Sequence, residues 1–154
     1  MGKRLFNLVL VVVLASCGTN LSKNPEILIK ETEVYSENID AEKSLESETT
    51  EGALTDTEGF KDIGKFKSTF YFNKDTKDLL KITNVETTDK TIIENYYFKN
   101  NQLNYFNTSS ENSKPKKIYL YNGKAVSSEN LSSDEQKLFI AKAKRFQKGF
   151  NETH

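Results

Sequence analysis

The sequence predicts an α+β domain: an antiparallel β-meander of about five or six strands with one C-terminal helix packed on one face. Three observations carry this. Between Phe66 and Val126, aromatic and β-branched residues alternate with polar ones in short runs, the period of half-buried strands. Clusters of Asn, Asp, Lys and Gly separate those runs, and these are turn residues. One amphipathic helical stripe then follows, from Ser132 onward.

The elements follow in order. Residues 65–72 set Phe66, Phe70 and Phe72 on one face, and residues 73–78 are turn chemistry. Residues 79–85 and 91–98 read as the next two strands, the latter rich in Ile and Tyr. Asn100-Asn101 turns the chain into residues 103–106, and a polar loop spans 108–115. Residues 117–121, Asn122-Gly123 and residues 124–126 form the clearest hairpin, because Asn-Gly supplies the positive φ angles of a type I′ turn. Phe70-Tyr-Phe-Asn, Tyr96-Tyr-Phe-Lys and Tyr119-Leu-Tyr-Asn each end a strand before a turn, a weak internal repeat.

The helix is predicted over residues 132–149. Ser132 and Glu135 fit a capping box, and Asp134 and Glu135 suit the positive end of the helix dipole. Phe139, Ala143, Phe146 and Phe150 form the apolar stripe, and Gly149 is placed to stop the helix.

Strict alternation sends Phe70, Phe72, Leu80, Ile82, Tyr96, Phe98, Leu103, Tyr105, Ile118 and Leu120 toward that helix. It sends Tyr71, Ile93, Phe106, Tyr97, Tyr119 and Tyr121 the other way, among Lys67, Lys81, Asn95, Lys99 and Asn104. One helix covers one face. Tyr71, Tyr97, Tyr119 and Tyr121 are therefore the candidate binding face, a Tyr/Asn/Lys surface suited to a peptide, a glycan or a partner protein. The competing reading is that these rings merely tolerate half-exposed positions, or that the preceding segment folds over them.

That preceding segment is acidic. Between Glu26 and Asp62 only Lys30, Lys43 and Lys61 oppose a dozen carboxylates, and aromatics are nearly absent. It is expected to be a flexible tether, since it has too little apolar surface to offset chain entropy; residues 25–29 and Val34-Tyr35 are local apolar islands with room for a short strand.

The N-terminus reads as an export signal. Lys3 and Arg4 precede an apolar stretch over residues 5–15, broken only by Asn7 and too short to cross a bilayer. It closes on Leu14-Ala15-Ser16-Cys17, and Cys17 is the only cysteine. These four residues resemble the lipobox of bacterial lipoproteins. The resemblance implies cleavage between Ser16 and Cys17, a diacylglyceryl group on the Cys17 thiol, and stable membrane attachment through two or three acyl chains. The expected organisation is a signal peptide over 1–16, a lipidated N-terminus and acidic tether over 17–62, and the folded domain over 63–154. The domain also resembles, in texture, the sheet repeats of small uncharacterised lipoproteins of the Bacteroidota. By resemblance, surface-exported lipoproteins of the Bacteroidota often carry an acidic cluster after the cysteine, and Asp there often retains enterobacterial lipoproteins at the inner membrane; Gly18 matches neither pattern, so an outer-membrane protein facing the periplasm is expected.

Chemistry is sparse. The single histidine, His154, is the last residue and is expected to fray. Cys17 is acylated in this reading, so neither Ser–His nor Cys–His catalysis has its members. Asn73 and Asp75 begin like a calcium loop, but Lys77 takes the next ligand place, and an Asx turn fits better. Glu94 with Glu86 or Asp89 is the one pair with a glycosidase look, read here as solvated sheet charges. No metal, cofactor or catalytic residue is expected. The chain has 22 basic and 22 acidic residues, so nothing favours nucleic acid. The expected function is a non-catalytic binding or accessory module, with an inhibitor or immunity-type lipoprotein and a diverged envelope enzyme as alternatives.

Overall fold

The structure, a computed structural model, describes residues 24–154. Residues 1–16 and the Ser16–Cys17 site therefore lie outside the described residues. The element order is α1 (Pro25–Ala41), β1 (Glu46–Thr55), β2 (Asp62–Phe72), β3 (Leu79–Thr87), β4 (Thr91–Lys99), β5 (Gln102–Ser110), β6 (Lys117–Tyr121), β7 (Lys124–Glu129) and α2 (Ser133–Thr153). All seven strands form one open antiparallel sheet in sequence order, the meander that the turn spacing implied. No described helix is long and apolar enough to cross a membrane.

The α+β class and the C-terminal helix agree with the sequence, and the additional elements come from the acidic segment. Where a tether was expected, residues 25–41 form α1 and residues 46–55 form β1. Asn24 caps α1, its side chain accepting from the Glu26 N–H, and Pro25 takes the first turn, where its missing N–H costs nothing. The buried positions of α1 are Leu28, Thr32 and Ser36, four residues apart. Two of the three are polar, so the stripe is weak in hydropathy although regular in space. β1 is almost wholly exposed and needs few apolar residues, because it is an edge strand.

Four hairpins carry an extra residue just after the turn. Tyr71 pairs with Lys81 and Phe72 with Leu79, which leaves Leu80 unmatched. In the same way Asn104 is extra between the pairs Tyr97–Tyr105 and Phe98–Leu103, and Val126 between Tyr119–Ser127 and Leu120–Ala125. Ile63 is extra in the β1–β2 hairpin. Such a bulge inverts the alternation beyond it. Leu79 rather than Leu80, and Phe106 rather than Tyr105, therefore join the core under α2.

That core holds Phe70, Phe72, Ile82, Tyr96, Phe98, Phe106, Ile118 and Leu120 from the sheet, with Ala143 and Phe150 of α2. Phe139 stacks on Phe106 at 4.4 Å between ring centroids, and Phe146 meets Phe70 and Tyr96 edge-on. Each fully buried large side chain contributes about 1.5–3 kcal/mol. The capping box forms: Ser132 Oγ accepts from the Glu135 N–H and the Glu135 carboxylate accepts from the Ser132 N–H.

Two expectations at the C-terminus are corrected. The helix does not stop at Gly149 but runs to Thr153. His154 does not fray: its ring stacks on Phe150 at 4.2 Å and lies 5.0 Å from Phe72. The stacking holds the last turn in place, so the helix continues through a glycine that the sequence offers as a terminator. A methyl group at Gly149 would meet nothing within 4 Å. Gly149→Ala should therefore stabilise the domain by about 0.5–1 kcal/mol through helix propensity, seen as a raised melting temperature.

Candidate functional site

The four tyrosines of the predicted binding face do not share one environment. Tyr97 and Tyr119 are buried at 2% and 1% exposure, Tyr71 is half-buried, and Tyr121 is 43% exposed. The burial comes from α1. Tyr97, Tyr105 and Tyr119 stand side by side across β4, β5 and β6, with ring centroids 5.5 and 5.0 Å apart. Ile29, Tyr35 and Ile39 of α1 pack over them. The bulge at Asn104 puts Tyr105 into this row in place of Phe106. As a free binding face Tyr97 and Tyr119 are ruled out; the competing reading, in which the acidic segment folds over them, is what the structure has.

The carboxylates of α1 make the contact specific. Tyr97 OH donates to the Asp40 carboxylate at 2.9 and 3.1 Å, and Tyr119 OH donates to Glu33 Oε1 at 2.8 Å. Tyr35 OH donates back to the Phe98 carbonyl at 2.5 Å. Lys81 bonds Asp40 at 2.6 Å while lying over the Tyr71 and Tyr97 rings, and Lys117 reaches Glu33 at 3.4 Å. Hydrogen bonds to a charged partner contribute about 1.5–3 kcal/mol each, more than the exposed ion pairs at the rim. The acids that made the segment look like a spacer are the acids that seat it.

Tyr121, the exposed member, lines a cleft of about 280 Å³ where the first turns of α1 cross the β4–β5 and β6–β7 hairpin tips. Leu28, Leu103 and Leu120 supply its apolar surface; Asn100, Gln102, Asn104 and Asn122 supply amides; Lys99, Glu31 and Thr32 complete it. The tips are tight turns, with Asn100, Asn101 and Asn122 at positive φ of 51°, 57° and 50° and Gly123 at 73°. Asn104, the bulge residue, donates from Nδ2 to the Leu120 carbonyl at 3.1 Å. Asn100, Gln102 and the α1 residues of this cleft escape sequence reasoning. The signal that would have found them is the two-residue Asn-Asn turn, which sets Lys99 opposite Gln102 and brings both amides to one tip.

The carboxylates considered for catalysis are tied up. Lys142 of α2 bonds Glu86 at 2.5 Å and Glu94 at 2.7 Å. Asn84 Nδ2 donates to both, at 3.0 and 2.9 Å, and Asn84 Oδ1 accepts from Ser68 Oγ at 2.7 Å. Tyr96 OH donates to Glu94 at 3.0 Å. Burial alone would raise the Glu86 carboxyl, but the Lys142 and Asn84 hydrogen bonds outweigh it and hold the group below its ordinary value. Asp89 sits apart in a turn, bonded by the neighbouring Thr88 hydroxyl. The Asn73 loop is an Asx turn, with Oδ1 accepting from the Asp75 and Thr76 N–H groups. Among the described residues no cluster could hold a metal ion.

No family model matches this chain, and neither a curated protein nor a solved structure matches it.

Two outcomes follow from the tyrosine row. Tyr97→Ser with Tyr119→Ser should unfold the domain in a thermal melt, since truncating a buried ring costs about 3–5 kcal/mol each. Stability should also fall in alkali. Burial first, then the charges of Asp40 and Glu33, pushes the Tyr97 and Tyr119 phenols above their ordinary value of 10.0. The folded chain keeps those protons where the unfolded chain has lost them, so raising the pH past 10.0 favours unfolding. A denaturation series across that range should show a declining midpoint, and Tyr97→Phe should blunt the decline.

Proposed function

We propose that this chain is a lipid-anchored, non-catalytic binding module of the cell envelope, attached to the membrane through Cys17 and holding a glycan or short peptide in the cleft at the hairpin tips. One observation carries the reading: Tyr121 and four amide side chains surround an apolar floor in a cleft open to solvent. Amides pair with hydroxyls or peptide groups as donor and acceptor at once, and a tyrosine ring offers a broad face with a polar tip. Such a surface suits a neutral, polar ligand that is recognised and not transformed. The Leu14–Cys17 motif supports the anchor, and Gly18 supports an outer-membrane position facing the periplasm.

The ligand half of the proposal is tested by retention of the mature protein on immobilised cell-wall glycan strands and stem peptides. Tyr121→Ala with Gln102→Ala should weaken retention about tenfold, or 1.4 kcal/mol, and leave the melting temperature nearly unchanged because both residues are exposed. Equal retention of this variant and the parent would remove the cleft from the reading. The anchor half is tested by mass spectrometry of the native protein: a free thiol at Cys17, or a retained signal peptide, would overturn it.

A further inference from the structure

The sheet has two open edges, and they are not alike. β7 is short, and the extra Val126 breaks its register with β6. β1 is ten residues long and pairs with β2 without a shift from Glu46 to Leu54. Its outer edge pairs with no strand among the described residues. Edge strands are ordinarily blunted by charged side chains, Lys above all, by Pro, by bulges or by a covering element. β1 has no Lys and no Pro, its charges are the glutamates Glu46, Glu48 and Glu51, which repel an acidic strand and not a basic one, and its one irregularity falls at its last residue.

A groove of about 520 Å³ runs along this edge, between β1 and α2. Phe66 and Phe70 of β2 floor it, and Phe146, Gly149 and Phe150 of α2 wall it, with Arg145 and Thr153 beside them. It exists because β1 does not fill it. The β1 residues opposite Phe70, Ser68 and Phe66 are Glu48, Thr50 and Gly52. A Cβ on Gly52 would stand 2.9 Å from the Phe66 ring, so the ring leans across the glycine toward the edge. At the far end of the same edge Phe60 is 89% exposed, although its loop is fixed by Asp56 Oδ1, which accepts from the Glu58 and Phe60 N–H groups at 3.2 and 3.1 Å.

We infer that β1 accepts an added strand from a basic partner protein, whose apolar side chains, at every second residue, enter the groove between β1 and α2. Main-chain pairing supplies the affinity in this mode, and pockets for alternate side chains supply the selectivity. Charge fixes the partner. Glu46, Glu48 and Glu51 line the edge, and Asp56, Glu58 and Asp62 follow, against Lys61 alone in that span; Arg145 is the one Lys or Arg lining the groove, on the α2 side where the partner's apolar side chains enter and not along the edge. Glu51 has no ion pair among the described residues, while Glu46 and Glu48 reach only Lys77 and His154, at 3.4 and 3.6 Å. A second copy pairing through β1 would set these glutamates against each other, and like charges directly opposite are unfavourable.

The test uses the mature chain and a labelled, end-blocked ten-residue peptide with leucine at alternate positions and lysine or threonine between. Two controls are the same peptide N-methylated at alternate residues and a version with glutamate for lysine. Hydrogen exchange should slow across Glu46–Thr55 when the basic peptide is present. Fluorescence anisotropy should place both controls at least about tenfold weaker. Gly149→Leu, which projects into the groove from a helical position that improves in propensity, should abolish binding while the fold remains intact. Glu48→Lys with Glu51→Lys should weaken binding by about tenfold. No protection of β1 up to the solubility limit of the peptide, equal binding of the N-methylated control, protection confined to β7, or dimerisation of the chain through β1 would each overturn the proposal.

Discussion

The phenol–carboxylate bonds between the tyrosine row and α1 keep the second face of the sheet closed, and most of the architecture follows from that closure. An open sheet of seven strands has two faces, and α2 covers one. The other bears three adjacent tyrosines whose rings are too large to leave in water together. A purely apolar helix could cover them, but their hydroxyls would then be buried without partners, at about 1–3 kcal/mol each. Asp40 and Glu33 answer Tyr97 and Tyr119. α1 can therefore be acidic overall and still be bound, and the cleft beside Tyr121 exists only while it is.

The opposite face has its own polar constraint. Glu94 and Asn84 are buried at 4% and 1% exposure within the aromatic core, and Lys142, Ser68, Tyr96 and Glu86 satisfy them. A buried ion pair is weak evidence of stability, because desolvation offsets the attraction. Its effect here is on register. Glu94 pairs with Asn84 across β3 and β4, and a slip of one residue between the two strands would put Glu94 and Asn84 on opposite faces and break their contact. We hypothesise that the network selects this register over its neighbours. The carboxylate pair that looks catalytic in the sequence is thus committed to Lys142 and Asn84.

Strands β2 to β7 and the capped C-terminal helix were legible because period-two alternation, turn residues and a capping box act locally. The misassigned faces have one cause. A single extra residue at Leu80 or Asn104 leaves composition unchanged but inverts every side chain beyond it, which exchanged Leu79 for Leu80 and Tyr105 for Phe106. The helix over residues 25–41 was missed because its buried stripe is Leu28, Thr32 and Ser36, and because glutamates bonded to tyrosine hydroxyls look the same in sequence as solvated ones. β1 was missed because an edge strand with little to bury shows no alternation. Of the candidate site, Tyr121 survives as a surface residue; the amides around it depend on two hairpin tips that only the three-dimensional register brings together.

Docking of α1 also changes what the proposed anchor would do. A flexible tether over residues 18–62 would let the sheet swing tens of ångströms from the bilayer. With α1 bound, only residues 18–23 separate Cys17 from the capped start of the helix, and six residues span at most about 20 Å. α1 runs from the β6 side, where Glu33 meets Tyr119, to the β3 side, where Asp40 meets Lys81. Its first turns, and the cleft they border, would then lie on the membrane-proximal side, with the β1 edge at the far side of the sheet. A ligand close to the bilayer and a protein partner farther out would engage different edges of one rigid sheet without competing. In this arrangement the acidic segment sets position as well as covering a face, which an unstructured spacer of the same composition could not do.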